Sequence, residues 1–293
     1  MALIAILTAL MLERLLGTQA WWSQTALLQR YVETLREMIK LRFVWSSAII
    51  VPLIVLPPLL AVYWLNKNIQ HPVLQLSFAG LLLLLCLGPR DLADDVKAWI
   101  RARERGDVDG AERIARSLQR VPETDESHVP DRRGLLGALF IQSHERLFGV
   151  LLWFFAFGAI GAVLYRLVSR LPRLLHRYGD NGAARAADNL HGLLAWIPTR
   201  VTAALFGLAG SLDDALNQWR HLEFDSQHNW RDRSWAVLAE TASGSLEFET
   251  GDSGPELPAT LELAAREVLH LQTRALLILL ALFAIFTTGD WLG

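Results

Sequence analysis

The sequence predicts an all-α polytopic membrane protein of about four transmembrane helices, with amphipathic interfacial helices and a helical cytoplasmic insertion. Two observations lead there. The 293 residues are 52% apolar with 11 Trp and a mean hydropathy of +0.27, and the apolar residues are gathered into long runs rather than dispersed. The polar stretches between those runs repeat their apolar positions at helical spacing.

Residues 1–42 form the first segment. MALIAILTALML has an apolar core but no basic n-region. Glu13-Arg14 follows it in place of a small-residue cleavage site, so it reads as a retained, partly inserted helix. From Glu13 to Arg42, Leu15, Leu16, Leu27, Leu28, Tyr31, Leu35, Met38 and Ile39 alternate with charges as in an interfacial helix, with Trp21-Trp22 at headgroup level. Residues 43–88 read as a transmembrane hairpin: Phe43–Leu65, a loop over Asn66–Pro72, and a shorter run at Val73–Leu87. Pro52, Pro57 and Pro58 remove backbone donors and predict a kink supported by neighbouring helices. The single Cys86 cannot pair internally and, inside an apolar run, reads as a packed thiol.

Residues 89–146 carry eleven Lys or Arg and twelve Asp or Glu. Leu92, Val96, Trp99 and Ile100 define one helical face. After Arg105-Gly106, Asp107 can cap a second helix that turns Ala111, Ile114, Ala115 and Leu118 inward, which makes a helical hairpin. Val121–Pro130 reads as a mobile loop.

Residues 147–210 begin with an apolar run from Phe148 to Val168, long enough to cross a bilayer at about 1.5 Å per residue. Tyr178-Gly179-Asp180-Asn181-Gly182 is a turn signal. Residues 193–209 are apolar enough to insert, but Pro198 and Arg200 at their middle favour an in-plane or re-entrant helix. Residues 211–272 are acidic, with four Arg against twelve Asp or Glu, and 243–260 have the composition of a flexible loop. Residues 273–293 hold a further span, Thr273–Thr288, whose one charge is Arg274.

Charge is regional, since 166–190 holds Arg166, Arg170, Arg173, Arg177 and Arg185 against Asp180 and Asp188. A basic strip beside a span marks the cytoplasmic side and its anionic lipid. Four simple spans with a cytoplasmic 89–146 insertion would put this strip outside, against that rule.

Soluble-enzyme signatures are missing: there is no G-x-x-x-x-G-K-[ST], G-x-G-x-x-G, H-E-x-x-H or C-x-x-C. His176, His191, His221 and His228 lack ligand spacing, and no metal site is expected. The candidate site is a polar or anion pocket. Gln142 and Glu145, with His144 and Arg146, enter the 147–168 run, while Arg166 and Arg170 leave it and Arg200 follows in the Pro-x-Arg segment. The arginines would act as fixed charges for phosphate, and Glu145 would hold a metal or an amine. A straight run would hold Glu145 about 30 Å from Arg166 and Arg170. Convergence therefore requires a bend, with Gly158 and Gly161 as its places.

Trp153, Gly158, Gly161, Tyr165 and Ile197-Pro198-Thr199-Arg200, set in this order of spans, resemble the AmpE branch of the AmpE/CobD (CbiB) membrane-protein family. The resemblance covers nearly the whole chain. It implies an inner-membrane, multi-pass regulator linked to β-lactamase induction and muropeptide recycling, with membrane lipid, an AmpD-type amidase and a muropeptide ligand as partners, and no nucleic acid. The CobD/CbiB branch comprises amide-forming enzymes of cobalamin synthesis. Its Glu-Asn pair and Asp before the span fall on Ile141, Gln142 and Glu145, so only the last keeps an acid. Its Asn-Thr-Leu-Asp run falls on Ser169-Arg170-Leu171-Pro172, and its paired aspartates fall on His191 and Gly192, while Pro198 and Arg200 are kept. These replacements favour a regulator with no catalytic residues and no cofactor. A nucleotide-dependent amide synthase, which would bind a nucleotide, is the alternative. A permease for muropeptide-like solutes is a third reading, drawn from Pro52, Pro57 and Pro58.

Overall fold

The computed structural model describes residues 2–16, 24–40, 42–87, 92–119, 132–222, 230–246 and 261–292, and these form helices with no strand among them. Trp21-Trp22, the 121–130 stretch, His228 and most of the 243–260 segment lie outside the described residues. Five helical stretches are long and apolar enough to cross a membrane by length and composition, one more than the four expected. The chain divides into two compact units, Met1–Pro89 with Leu147–Pro198 and Asn229–Asp232, and Arg90–Arg146 with Thr199–His228 and Arg233–Gly293.

In the first unit, α1 (Ala2–Leu16) buries Ala5, Ile6 and Ala9 against α5 (Pro72–Leu87) and turns Ile4, Leu7 and Met11 outward. The expected helix from Glu13 to Arg42 is described at 13–16, 24–40 and 42. Its first residues extend α1, and the amphipathic part is α2 (Gln24–Met38), followed by the short α3 (Arg42–Ser46). The expected 43–65 span is also interrupted, because a turn at 47–49 precedes α4 (Ile50–Asn68). Leu28 and Val32 of α2, Trp45 of α3 and Ile50 and Ile54 of α4 share one buried cluster with Val168 and Leu175. Outward, α4 exposes Leu56, Leu60, Tyr63 and Trp64, an apolar surface suited to lipid rather than water.

Two of the prolines inside helices, Pro58 and Pro198, are accommodated by donors from neighbouring segments. Pro52 lies in the first turn of α4, where a missing N–H costs little, but Pro58 cannot donate to the Ile54 carbonyl four residues earlier. The Tyr31 hydroxyl donates to that carbonyl instead, at 3.1 Å. The same arrangement recurs in α10 (Asn181–Ala209), where Pro198 leaves the Leu194 carbonyl without its helical donor and Trp153 Nε1 supplies one at 3.1 Å. Residues 193–209, expected from Pro198 and Arg200 to lie in-plane or re-entrant, are not a helix of their own. They complete one helix of 29 residues, because the carbonyl freed by proline is satisfied. Burial pushes the Tyr31 phenol above its ordinary pKa and keeps it a proton donor. Tyr31→Phe is expected to lower stability by about 1–2 kcal/mol, the cost of a buried carbonyl left without a donor. Thermal unfolding in detergent measures this, and an unchanged midpoint would show that the bond contributes nothing.

The run expected to cross from 147 to 168 does not do so as one straight helix. Inside α9 (Gly149–Arg177) the backbone leaves helical geometry at Gly158, with φ 64° and ψ −151°, a region open essentially to glycine alone. The chain reverses there. Gly161 packs on the Trp153 carbonyl, and a Cβ at Gly149 would stand 2.5 Å from the Tyr165 ring. A straight helix would hold residues 149 and 165 about 24 Å apart. The arms 149–157 and 159–177 therefore run antiparallel, with Trp153 stacked on Phe157 in the first at 5.3 Å between ring centroids. The bend falls at the first of the two expected glycines, and the second provides the close packing.

In the second unit, α6 (Leu92–Glu104) buries Leu92, Val96, Trp99 and Ile100 against Ala111, Ala115 and Leu118 of α7 (Val108–Gln119). Asp107 caps α7 by accepting from the Gly110 N–H at 2.9 Å. Helix α8 (Arg132–Ser143) packs on α7 and α13 (Leu261–Leu292), and its Phe140 meets Phe206 of α10 edge to face at 4.9 Å. Ser211 caps α11 (Leu212–Arg220), and α12 (Trp230–Gly244) buries Val237 and Leu238. The C-terminal span is part of a longer helix than expected, since α13 starts at Leu261. It exposes Leu277, Ile285 and Phe286.

Candidate functional site

A π-helical turn, His144–Phe148, joins α8 to the hairpin arm. It widens the helix by one residue per turn, a distortion that recurs at functional sites. The polar residues entering it are buried: Gln142 at 2%, His144 at 0% and Glu145 at 3% exposure. Gln142 ties α8 to α7 and steadies Arg146 one turn on. Its Nε2 donates to the Leu118 carbonyl at the end of α7 at 2.8 Å, and its Oε1 accepts from Arg146 Nε at 3.0 Å. Arg146 in turn donates to Asp95 of α6 at 2.8 Å. Ser143 donates to Gln272 of α13 at 2.8 Å. Gln142 therefore has a structural task that its place in a sequence motif did not reveal.

His144 Nδ1 lies 2.9 Å from Thr202 Oγ1, and its ring stands edge-on to Trp235 at 5.7 Å. That bond holds the turn carrying Glu145 against the stretch of α10 that carries Arg200. Gln142, Glu145 and Arg200 thus belong to one unit, while Arg166 and Arg170 belong to the other. Thr202 and Trp235 were not legible as site residues. Threonine within an apolar helix and tryptophan on a polar one carry no signal until the partner helices are known.

In the first unit, buried Arg166 donates through Nη2 to the Leu87 carbonyl at 3.2 Å. It thereby serves the C-terminal end of α5, where carbonyls lack helical partners. Arg170 lies one turn further along α9 and is half-buried. Asp188 of α10 accepts from His176 Nε2 at 3.1 Å and from Arg231 Nη1. His191 is fully buried, its ring edge-on to Tyr165 at 5.8 Å. At Gly192 a Cβ would meet the Arg231 backbone N at 2.6 Å, so an aspartate at that position has no room. His176 and His191 thus have structural surroundings. Among the described residues, no group of three or more His, Cys, Asp or Glu stands together as a metal site.

Residues 6–244 match the family described as CobD/Cbib protein. The cobalamin biosynthesis protein CobD of Chromobacterium violaceum is 30% identical over 229 residues, covering 72% of this chain and 70% of that protein. The protein of the same name from Stutzerimonas stutzeri is 31% identical over 148 residues, 47% of this chain and 46% of that protein. No solved structure gives a significant match. The matched region holds α4 and α10, the reversal at Gly158 and the turn carrying Glu145, and over that length the chain belongs to the CobD/CbiB family of multi-pass membrane proteins.

Proposed function

We propose that the protein is a nucleotide-dependent amide synthase of the CobD/CbiB type, seated in the bacterial cytoplasmic membrane and serving cobalamin biosynthesis. The single observation that carries this is the match to a cobalamin biosynthesis protein over about 70% of both chains, which favours the enzymatic branch over AmpE-type regulation. Amide formation driven by a nucleoside triphosphate passes a carboxyl group through an acyl phosphate. An amine then attacks the acyl carbon, the C–N bond forms, the C–O bond to phosphate breaks, and the amine's proton must be accepted. Glu145, the one acid kept from the branch's motif, is the group for that proton. Arg200, kept in the Pro-x-Arg segment of the same unit, is the fixed charge for phosphate. The buried position of Glu145, on a turn held by the contact between His144 and Thr202, supports the role, since a positioned group needs a fixed side chain.

One observation favours a second reading. The paired aspartates of the enzymatic branch fall on buried His191 and on Gly192, where Arg231 leaves no space, as expected of a scaffold turned to AmpE-like regulation with an amidase or muropeptide partner. A strain lacking its own CobD/CbiB protein separates the two. The gene is expected to restore growth that depends on cobalamin made from its corrin precursor. Failure to do so, together with altered β-lactamase induction when the gene is deleted in its host, would favour regulation.

A further inference from the structure

A cleft of about 510 Å³ opens in the first unit. It is lined by Arg36, Lys40, Trp45, Tyr178 and Asp180, contributed by the end of α2, by α3 and by the turn between α9 and α10. The Arg36 guanidinium lies 4.3 Å from the centroid of the Tyr178 ring and 4.8 Å from that of Trp45, and it is ion-paired with Asp180. Tyr178 donates to Glu33 at 3.0 Å, and Gln29 donates to the same carboxylate at 3.0 Å. Glu33 and Asp180 are thus engaged, and Arg36 meets Asp180 through Nη2, which leaves its Nε to spare. Arg36 Nε is buried with no hydrogen-bond partner among the described residues, and Lys40 is exposed at the rim. A buried N–H without an acceptor is costly, and an anionic oxygen satisfies it at the least cost.

The cleft's place in the fold says which anion arrives. α4 and α10, both apolar enough to cross a membrane, begin beside it, and α9 ends there at Arg177. α2 lies alongside with Leu28 and Val32 turned to the core and Arg30 outward, as in a helix at the membrane surface. Trp and Tyr at span ends mark headgroup level. We propose that this cleft is a specific site for the phosphate of an anionic phospholipid, held by Lys40 and Arg36 with the acyl chains along α4. The same chemistry would accept free phosphate, so the test must separate the two.

Native mass spectrometry and thermal unfolding of the intact protein, in detergent with added phosphatidylglycerol or phosphatidylcholine, provide that separation. Phosphatidylglycerol is expected to remain bound and raise the unfolding midpoint, and phosphatidylcholine is not. Lys40→Gln, a surface change that leaves the fold intact, is expected to weaken phosphatidylglycerol binding about fivefold. Millimolar inorganic phosphate is expected neither to compete nor to stabilise. Equal retention of the two lipids, or unchanged binding by Lys40→Gln, would overturn the site. Stabilisation by inorganic phosphate that Lys40→Gln removes would overturn its assignment to lipid.

Discussion

Valine at Gly161 is expected to abolish recovery of the folded protein, whereas valine at Ala156, five residues earlier on the other side of the turn, is expected to leave it intact. Gly161 lies against the Trp153 carbonyl, and its Cβ would also stand 2.9 Å from Cβ of Phe157. Overpacking a core costs about 1–3 kcal/mol when side chains can move aside. Here the obstacle is backbone, so the two arms must separate. Separation would also remove the Tyr165 ring from its seat on Gly149 and the Trp153 indole from the Leu194 carbonyl. Ala156 is exposed at the tip and meets no such obstacle. Gly158→Ala should fall between them, costing roughly 1–3 kcal/mol for a non-glycine residue in that backbone region. Monodispersity and unfolding midpoints of the three variants measure the order. Equal behaviour of Gly161→Val and Ala156→Val would show that the arms do not pack as described.

The second large effect concerns chemistry. Glu145→Gln keeps the volume of the side chain and removes its basicity, and it is expected to lower amide-forming turnover by about 10²–10⁴-fold, the range for loss of a positioned acid–base group. Glu145→Asp is expected to retain part of the activity. Both variants should unfold near the wild-type midpoint, which separates loss of chemistry from loss of fold. Full turnover by Glu145→Gln, with the wild type active, would remove Glu145 from the reaction while leaving the family assignment untouched.

Sequence patterning disclosed what depends on local periodicity. The α6–α7 hairpin, its Asp107 cap and the buried faces of Val96, Trp99, Ala115 and Leu118 follow from spacing alone. Partners distant in sequence were not legible. Pro198 read as an obstacle to a long helix because nothing local shows that Trp153, 41 residues earlier, donates to Leu194. The 147–168 run looked like a simple span because hydropathy is blind to direction. Only the pocket's need for convergence pointed to Gly158 and Gly161. Of the candidate site, Gln142 and Arg166 proved to hold helix ends together through the Leu118 and Leu87 carbonyls, tasks set by neighbours rather than by their own segments. A hairpin that leaves 147 and 168 on one side also meets the condition that the positive-inside rule set for the arginine strip.

The reversal at Gly158 is tested most directly by the distance between residues 147 and 167. With Trp153 opposite Gly161 and Gly149 opposite Tyr165, Leu147 pairs with Leu167, and both are only partly buried. Spin labels at Leu147→Cys and Leu167→Cys, in a Cys86→Ala background reconstituted into lipid, are expected to show strong dipolar broadening, with backbones about 8–10 Å apart as in packed helices. A separation of about 30 Å and no broadening, the result for an unbroken helix over those 20 residues, would contradict the hairpin.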